Sequence, residues 1–363
     1  MNPKSIVNLF SILVLFFSLS YVFPIVVSIF YDDGALNLFT TTLIIVSATG
    51  VIGLFFTRNV KSELSQKDGF VIIALFWVVL SLAGSIPFYL SGMSFIDSLF
   101  ESMSGITTTG ATVISNIDGL PESILFYRQL LQWMGGMGLI VLAIAVMPVL
   151  GIGGGQIYKT EIPGAMGDQR LTPRIEETAK ALWIIYFSLT AVCALLYYLN
   201  DMSGFDAVSH AMSTVAIGGF STHDESIGYF DSVSIEMICM LFMVLSASSF
   251  ALHYFAINKK KPLKYLFDPE FRFFVSVLLL VFAIAMLVSI FSQSDGTPTF
   301  REVAFHSVST VTTTGFSITS SADWPFSISF LLLIGAFIGA CSGSVGGGVK
   351  SVSYTHLTLP TKA

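Results

Sequence analysis

The sequence predicts an all-α polytopic membrane protein, two leading membrane helices followed by three repeats of helix, half-helix, polar loop and helix. Three observations carry that expectation. Hydrophobic residues make up 54% of the chain and charged ones 11%, against roughly 25% charged in a soluble domain. Apolar runs recur along the 363 residues, several of about 20 residues, enough to cross a hydrocarbon core about 30 Å thick. Between such runs, Ser104–Thr112 (SGITTTGAT), Ser213–Ser221 (STVAIGGFS) and Ser309–Ser317 (STVTTTGFS) say nearly the same thing.

The first run begins after Lys4 and continues to about Phe30. That is too long for the apolar core of a signal peptide, and no small-x-small cleavage site closes it, so it reads as a retained helix. Membrane helices are placed at 5–30, 37–57, 69–91, 122–149, 179–199, 231–257, 271–292 and 325–349. The amphipathic pieces at 95–106, 204–214 and 299–311 are too short to span, and Ser94 is the N-cap of the first. Residues 1–60 hold the leading pair, 61–150, 151–260 and 261–350 the three repeats, and 351–363 a polar tail.

Aligned on Gly110, Gly219 and Gly315, the repeats bring Ser104, Ser213 and Ser309 into register. The match extends back into the half-helices, where Asp97, Asp206 and Glu302 correspond, as do Glu101, His210 and His306. The glycines recur at spacings of 109 and 96 residues, room for a whole membrane-crossing unit. With the N-terminus inside, 14 of the 17 Lys and Arg fall on one face. The positive-inside rule then makes the N-terminus cytoplasmic and puts all three loops outside. On or near that outer face lie 15 of the 23 acidic residues. An acidic mouth would concentrate cations; ordinary topogenic bias with leftover carboxylates would look the same.

A half-helix followed by a Thr/Gly loop between two membrane helices is the layout of an ion-channel pore loop. A dehydrated potassium ion needs oxygens to replace its water, and backbone carbonyls supply them if successive ones face one axis. Glycine relieves that geometry because it tolerates positive φ. The candidate filter residues are Thr107, Thr108, Thr109 and Gly110; Ala216, Ile217, Gly218 and Gly219; and Thr312, Thr313, Thr314 and Gly315. One such run alone would read as a turn with Thr bonding back to the chain. Three in register, each after a half-helix, favour the filter.

Other motifs carry less. Cys193, Cys239 and Cys341 lie in apolar runs, with no disulfide framework or paired metal-ligand spacing. The five histidines lack metal-binding spacing, and His210 and His306 read as packing or hydrogen-bonding residues. Gly151–Gly155 lacks the G-K-[ST] ending of a phosphate loop and reads as a turn. The run Lys259–Lys264 is a headgroup-facing cluster. Gly335, Gly339 and Gly343, four apart, suit close helix packing, whereas Gly346–Gly348 is poor helix material.

Beyond the loops, Arg128-Gln129 and Gln132–Gly138 (QWMGGMG), the stretch Tyr158–Lys180 (YKTEIPGAMGDQRLTPRIEETAK), Ser213–Asp224 and Gly339–Lys350 (GACSGSVGGGVK) match motifs of one family. Over residues 1–350 the chain resembles the Trk/Ktr/HKT superfamily of potassium transporters, most closely its bacterial Trk branch. The resemblance implies potassium uptake across the bacterial inner membrane, no enzyme activity, and no cofactor beyond the transported K+ held by filter carbonyls. It implies a lipid-embedded homodimer gated by a TrkA-like cytoplasmic subunit that binds NAD or another nucleotide, with no role for nucleic acid. It also implies that Cys341, Ser342, Gly343, Ser344, Val345, Gly346, Gly347 and Gly348 form an intramembrane gate below the filter. The family has four repeats. No fourth follows Lys350 here, and the tail SVSYTHLTLPTKA does not resemble it, so the chain reads as C-terminally truncated. A sodium or non-selective transporter of the same fold is the alternative. In plant relatives a Ser at the first filter glycine accompanies sodium selectivity, and Gly110 favours potassium. A polytopic membrane enzyme would need clustered intramembrane Asp, Glu or His on the inner side, and the sequence has none. These residues do not decide between channel-like and ion-coupled transport.

Overall fold

The computed structural model describes residues 3–58, 66–138, 175–258, 264–292, 296–322 and 324–349. Expectations for 139–149, the turn at 151–155, the 158–174 part of the basic loop, Lys259–Lys261 and the tail 351–363 lie outside these. Among the described residues the backbone is helical, with one isolated bridge between Ile338 and Val349. The chain divides into two compact units, Met1–Glu161 and Ile162–Ala363.

The first unit holds α1 (Pro3–Ser18), α2 (Val22–Tyr31), α3 (Leu36–Thr57), α4 (Gln66–Leu90), α5 (Phe95–Ile106) and α6 (Glu122–Gly136). A single 3-10 turn at Leu19–Tyr21 joins α1 to α2, so Pro3–Tyr31 makes one apolar span. Buried aromatic rings of Phe17, Tyr21, Phe39, Phe88 and Tyr127 tie these helices together. The two tyrosine hydroxyls are satisfied by α4 carbonyls, Tyr21 donating to Ala83 (2.8 Å) and Tyr127 to Gly84 (2.9 Å). Half-helix α5 is seated against α4 and α6.

The second unit holds α7 (Ile175–Leu199), α8 (Gly204–Ala216), α9 (Val233–Ser246), α10 (Phe250–Asn258), α11 (Lys264–Phe267), α12 (Pro269–Phe291), α13 (Phe300–Val311) and α14 (Phe326–Phe337). Four helical segments among the described residues are long and apolar enough to cross a membrane: Pro3–Tyr31, Leu36–Thr57, Lys180–Leu199 and Pro269–Phe291. Their flanks stay apolar outward, with Phe30 at 80% and Phe291 at 79% exposure. Such surfaces suit lipid rather than water.

Two sequence expectations are corrected. The span expected at 231–257 is not one helix: α9 and α10 meet at a bend of 97°. At the break, the Phe250 N–H leaves the helical ladder and donates to the Gly343 carbonyl (3.0 Å), while the Ala247 carbonyl accepts the Cys341 N–H (3.0 Å). The backbone groups freed by the bend are thus paired with the glycine-rich segment. The helix expected at 325–349 ends at Phe337, and 338–349 is irregular, with left-handed backbone at Gly343 (φ 69°) and Gly348 (φ 74°).

Candidate functional site

Each half-helix begins and ends the same way. Ser94 and Ser203 cap α5 and α8 through the N–H groups of Asp97 (3.2 Å) and Asp206 (3.0 Å). Thr299 and Glu302 form a full capping box at α13. Asp97, Asp206 and Glu302, which align in the sequence, are therefore cap residues rather than free charges at a mouth.

At the other end, the N–H of Thr109 reaches back to the Ser104 carbonyl (2.9 Å), that of Gly218 to Ser213 (2.9 Å) and that of Thr314 to Ser309 (2.8 Å). The preceding N–H groups of Thr108, Ile217 and Thr313 bond to Gly105, Thr214 and Thr310 (3.0, 3.1 and 2.9 Å). Together these bonds make a Schellman motif in all three copies. The aligned serines are the residues whose carbonyls close it.

That motif needs a left-handed residue, most often glycine. Here the position carries Thr108 (φ 54°), Ile217 (φ 54°) and Thr313 (φ 65°). A β-branched side chain in that region is strained, and such strain persists where the surroundings over-determine it. Two residues on, Gly110 (φ 78°), Gly219 (φ 79°) and Gly315 (φ 90°) are left-handed again. Each loop thus places two positive-φ residues on either side of one residue without positive φ, the same backbone pattern in all three copies. Among the described residues, the carbonyls of Thr108–Gly110 and Thr313–Gly315 accept no hydrogen bond. They remain available to a cation. The Thr side chains do bond back, Thr107 to Met103 (2.6 Å) and Thr312 to Val308 (2.8 Å). Thr107, Ala216 and Thr312 thus close the half-helices, and the strand proper starts one residue later.

In the second unit two of the loops meet. A Cβ on Gly219 would lie 2.1 Å from the Thr314 carbonyl oxygen, so these strands approach backbone to backbone. The glycine-rich segment sits against the same strands. The Gly347 N–H donates to Thr313 Oγ1 (2.8 Å), and a Cβ on Gly346 would stand 3.3 Å from the Thr312 carbonyl oxygen.

Behind the strands lie polar braces. In the first unit, Glu101 and Arg128 form a fully buried ion pair (Nε–Oε1 2.8 Å). The same carboxylate accepts from Thr112 Oγ1 (2.9 Å) and the Val113 N–H (3.3 Å), just past Gly110. In the second, His210, aligned with Glu101, bonds through Nε2 to Ser221 Oγ (2.9 Å), just past Gly219. In the third copy His306 packs on Trp324 (4.7 Å between ring centroids), and Ser309 Oγ donates to the Phe316 carbonyl (2.7 Å). His210 thus both packs and bonds, whereas His306 packs, its buried Nε2 making no hydrogen bond among the described residues. Gly135 explains part of the QWMGGMG stretch: a Cβ there would stand 1.9 Å from the Ile106 carbonyl oxygen, so α6 lies directly on the end of α5.

Two further contacts carry no signal in the sequence. Arg301 clamps Glu236 of α9 with two bonds (2.8 and 2.6 Å) and also reaches Asp231 (3.1 Å). Glu270 accepts the Ser342 N–H of the glycine-rich segment. With the caps and the Glu101–Arg128 pair, the Arg301 clamp ties six of the fifteen carboxylates expected on the outer face (Asp97, Glu101, Asp206, Asp231, Glu236 and Glu302) into structural contacts.

Asp206 gives a pH prediction. Burial pushes its carboxyl up, but contacts from His223, Thr222 and Ser203 outweigh that and hold it at about 2, against 3.8 ordinarily. The folded value lies below the unfolded one. The stabilisation is therefore complete above about pH 4 and is lost as the pH falls toward 2. Asp206→Asn is expected to cost about 2 kcal/mol at neutral pH. Thermal melts in detergent should show the variant and parent converging below pH 4; a constant gap from pH 7 to 3 would refute it.

The family model described as TrkH, cation transport protein, matches residues 35–359. A Trk system potassium uptake protein TrkH from Vibrio parahaemolyticus is 49% identical over 366 residues, covering 99% of this chain and 76% of that protein. The TrkH protein of Escherichia coli K12 is 45% identical, covering 97% of this chain and 74% of its own length. The crystal structure of the potassium transporter TrkH from Vibrio parahaemolyticus matches with a TM-score of 0.85 and 47% identity, covering 99% of this chain and 75% of that one.

Proposed function

Because this chain belongs to the TrkH family of cation transport proteins, transporters rather than enzymes, we propose that it takes up potassium through a carbonyl filter. The filter residues are Thr107–Gly110, Ala216–Gly219 and Thr312–Gly315. The carrying observation is the backbone pattern shared by the three loops: a Schellman-closed half-helix and two left-handed residues two apart. Neutral carbonyls held by helix ends replace hydration water without a fixed charge that would trap the ion. Each half-helix also directs its partially negative C-terminal end at its loop.

The test is ion uptake by the full-length protein in cells lacking their own potassium uptake systems. Growth at low potassium, and flux that prefers K+ to Na+, are expected. Equal K+ and Na+ flux would move the assignment to a non-selective carrier.

The same reading makes Cys341–Gly348 the gate, and assigns the protein to a homodimer in the bacterial inner membrane. A TrkA-like nucleotide-binding subunit on the cytoplasmic side sets the gate's position. A Cβ on Gly346 would meet Ala340 Cβ at 2.5 Å, and one on Gly348 the Gly339 Cα at 2.6 Å. Alanine also favours helix over glycine by about 1 kcal/mol per residue. Replacing Gly346–Gly348 by alanines is therefore expected to dislodge the segment. Flux per folded protein should rise or lose its dependence on the regulatory subunit. Unchanged normalised flux with intact regulation would retire the gate.

A further inference from the structure

Glu270 occupies the first turn of α12, yet capping that turn is the work of Asp268, whose Oδ1 accepts the Phe271 N–H (2.9 Å). Glu270 instead reaches out of its helix and accepts the N–H of Ser342, a residue with no exposed surface. A backbone N–H donating to a carboxylate makes a charge-assisted bond, stronger than one between neutral groups.

Bonds that also place the glycine-rich segment include these three: Cys341 N–H to the Ala247 carbonyl, Phe250 N–H to the Gly343 carbonyl, and Gly347 N–H to Thr313 Oγ1. All three join neutral groups. The first two tie the segment to the break between α9 and α10, and the third ties it to the filter strand. Glu270 adds a tie from α12, and this one ends on a carboxylate.

We propose that Glu270 is the positioning residue that holds the glycine-rich segment in its docked place, and that losing its carboxylate releases the segment. Without it the Ser342 N–H is left buried and unpaired in the docked form and can be hydrated only once the segment moves. That shifts the docked-to-released balance by roughly ten- to a hundredfold. The consequence for transport rests on the gate reading above.

Cys341 supplies a readout independent of flux, since its thiol is in no disulfide and only 1% exposed. In the full-length protein, the rate of N-ethylmaleimide labelling at Cys341 is followed by peptide mass spectrometry. Cys193 and Cys239, also free and buried, report on global unfolding in the same sample. Glu270→Ala is expected to label at Cys341 at least tenfold faster than the parent, with Cys193 and Cys239 unchanged. An unchanged Cys341 rate overturns the proposal.

If all three cysteines speed up together, the alanine variant has unfolded and Glu270→Gln decides. It keeps an oxygen acceptor without the charge, and a several-fold rise confined to Cys341 is expected. No rise there overturns the proposal. Potassium flux on the same samples separates the two readings. Faster Cys341 labelling with raised or unregulated flux supports both. Faster labelling with normal regulated flux keeps Glu270 as the positioning residue and removes the segment as the gate.

Discussion

Replacing Gly219 by alanine is expected to abolish selective potassium uptake, while the same replacement at Gly315 leaves a partly active protein. The two glycines occupy the same place in their repeats, and both are left-handed, at φ 79° and 90°. An L side chain in that region costs about 1–2 kcal/mol at either site. The surroundings separate them. The new Cβ at Gly219 would sit 2.1 Å from the Thr314 carbonyl oxygen, whereas at Gly315 nothing lies within 4 Å. Backbone cannot swing aside as a flexible side chain does, so Gly219→Ala pushes directly on the Thr314 carbonyl, one of those proposed for the filter. Overpacking of this kind adds about 1–3 kcal/mol to the backbone strain. A loss beyond roughly thirtyfold follows for Gly219→Ala, and a smaller one with K+ preference retained for Gly315→Ala. Uptake of K+ and Na+ by folded, quantified full-length protein checks this. The reverse order of severity would mean that the second and third strands do not approach as described.

The second large effect is expected at the buried pair behind the first strand. Arg128→Met leaves the Glu101 carboxyl without its cation in a site with no exposure, and breaking a buried pair this way costs about 3–5 kcal/mol. Little folded protein is expected from that single variant. The double variant Glu101→Leu with Arg128→Met removes both charges, and apolar replacements of buried pairs are often close to neutral in stability. It still lacks the carboxylate that receives Thr112 Oγ1 and the Val113 N–H. The outcome expected is a melting temperature restored toward the parent, with K+ over Na+ discrimination lost. Full selectivity in the stable double variant would show that the pair supports the fold and does not position the strand.

The parallel with His210 extends this reading. Nine residues before its glycine, each of the first two half-helices carries a buried polar residue that grips the chain two residues after that glycine. The match of Glu101 with His210 in the sequence pointed to a shared position. Their common task appears only in the bonds, because a carboxylate accepting from a hydroxyl and an imidazole bonding one have no shared sequence signature.

By itself the sequence determined the helical membrane class, the three half-helices and the register of their loops. Hydrophobic run length and the recurrence of Ser, Thr and Gly at fixed offsets are local properties, and they survive in one dimension. It also marked Gly346–Gly348 as unfit for helix, although a helix was still expected from 325 to 349. The tertiary structure decided what depends on partners far along the chain. The break at Ala247–Phe250 follows from hydrogen bonds to Cys341 and Gly343, nearly a hundred residues away, which no hydropathy window can contain. The left-handed Thr108, Ile217 and Thr313 run against the residue preference for that conformation. From sequence only the glycines would be placed there; the Schellman bonds and the packing around each loop impose it on residues that would otherwise avoid it.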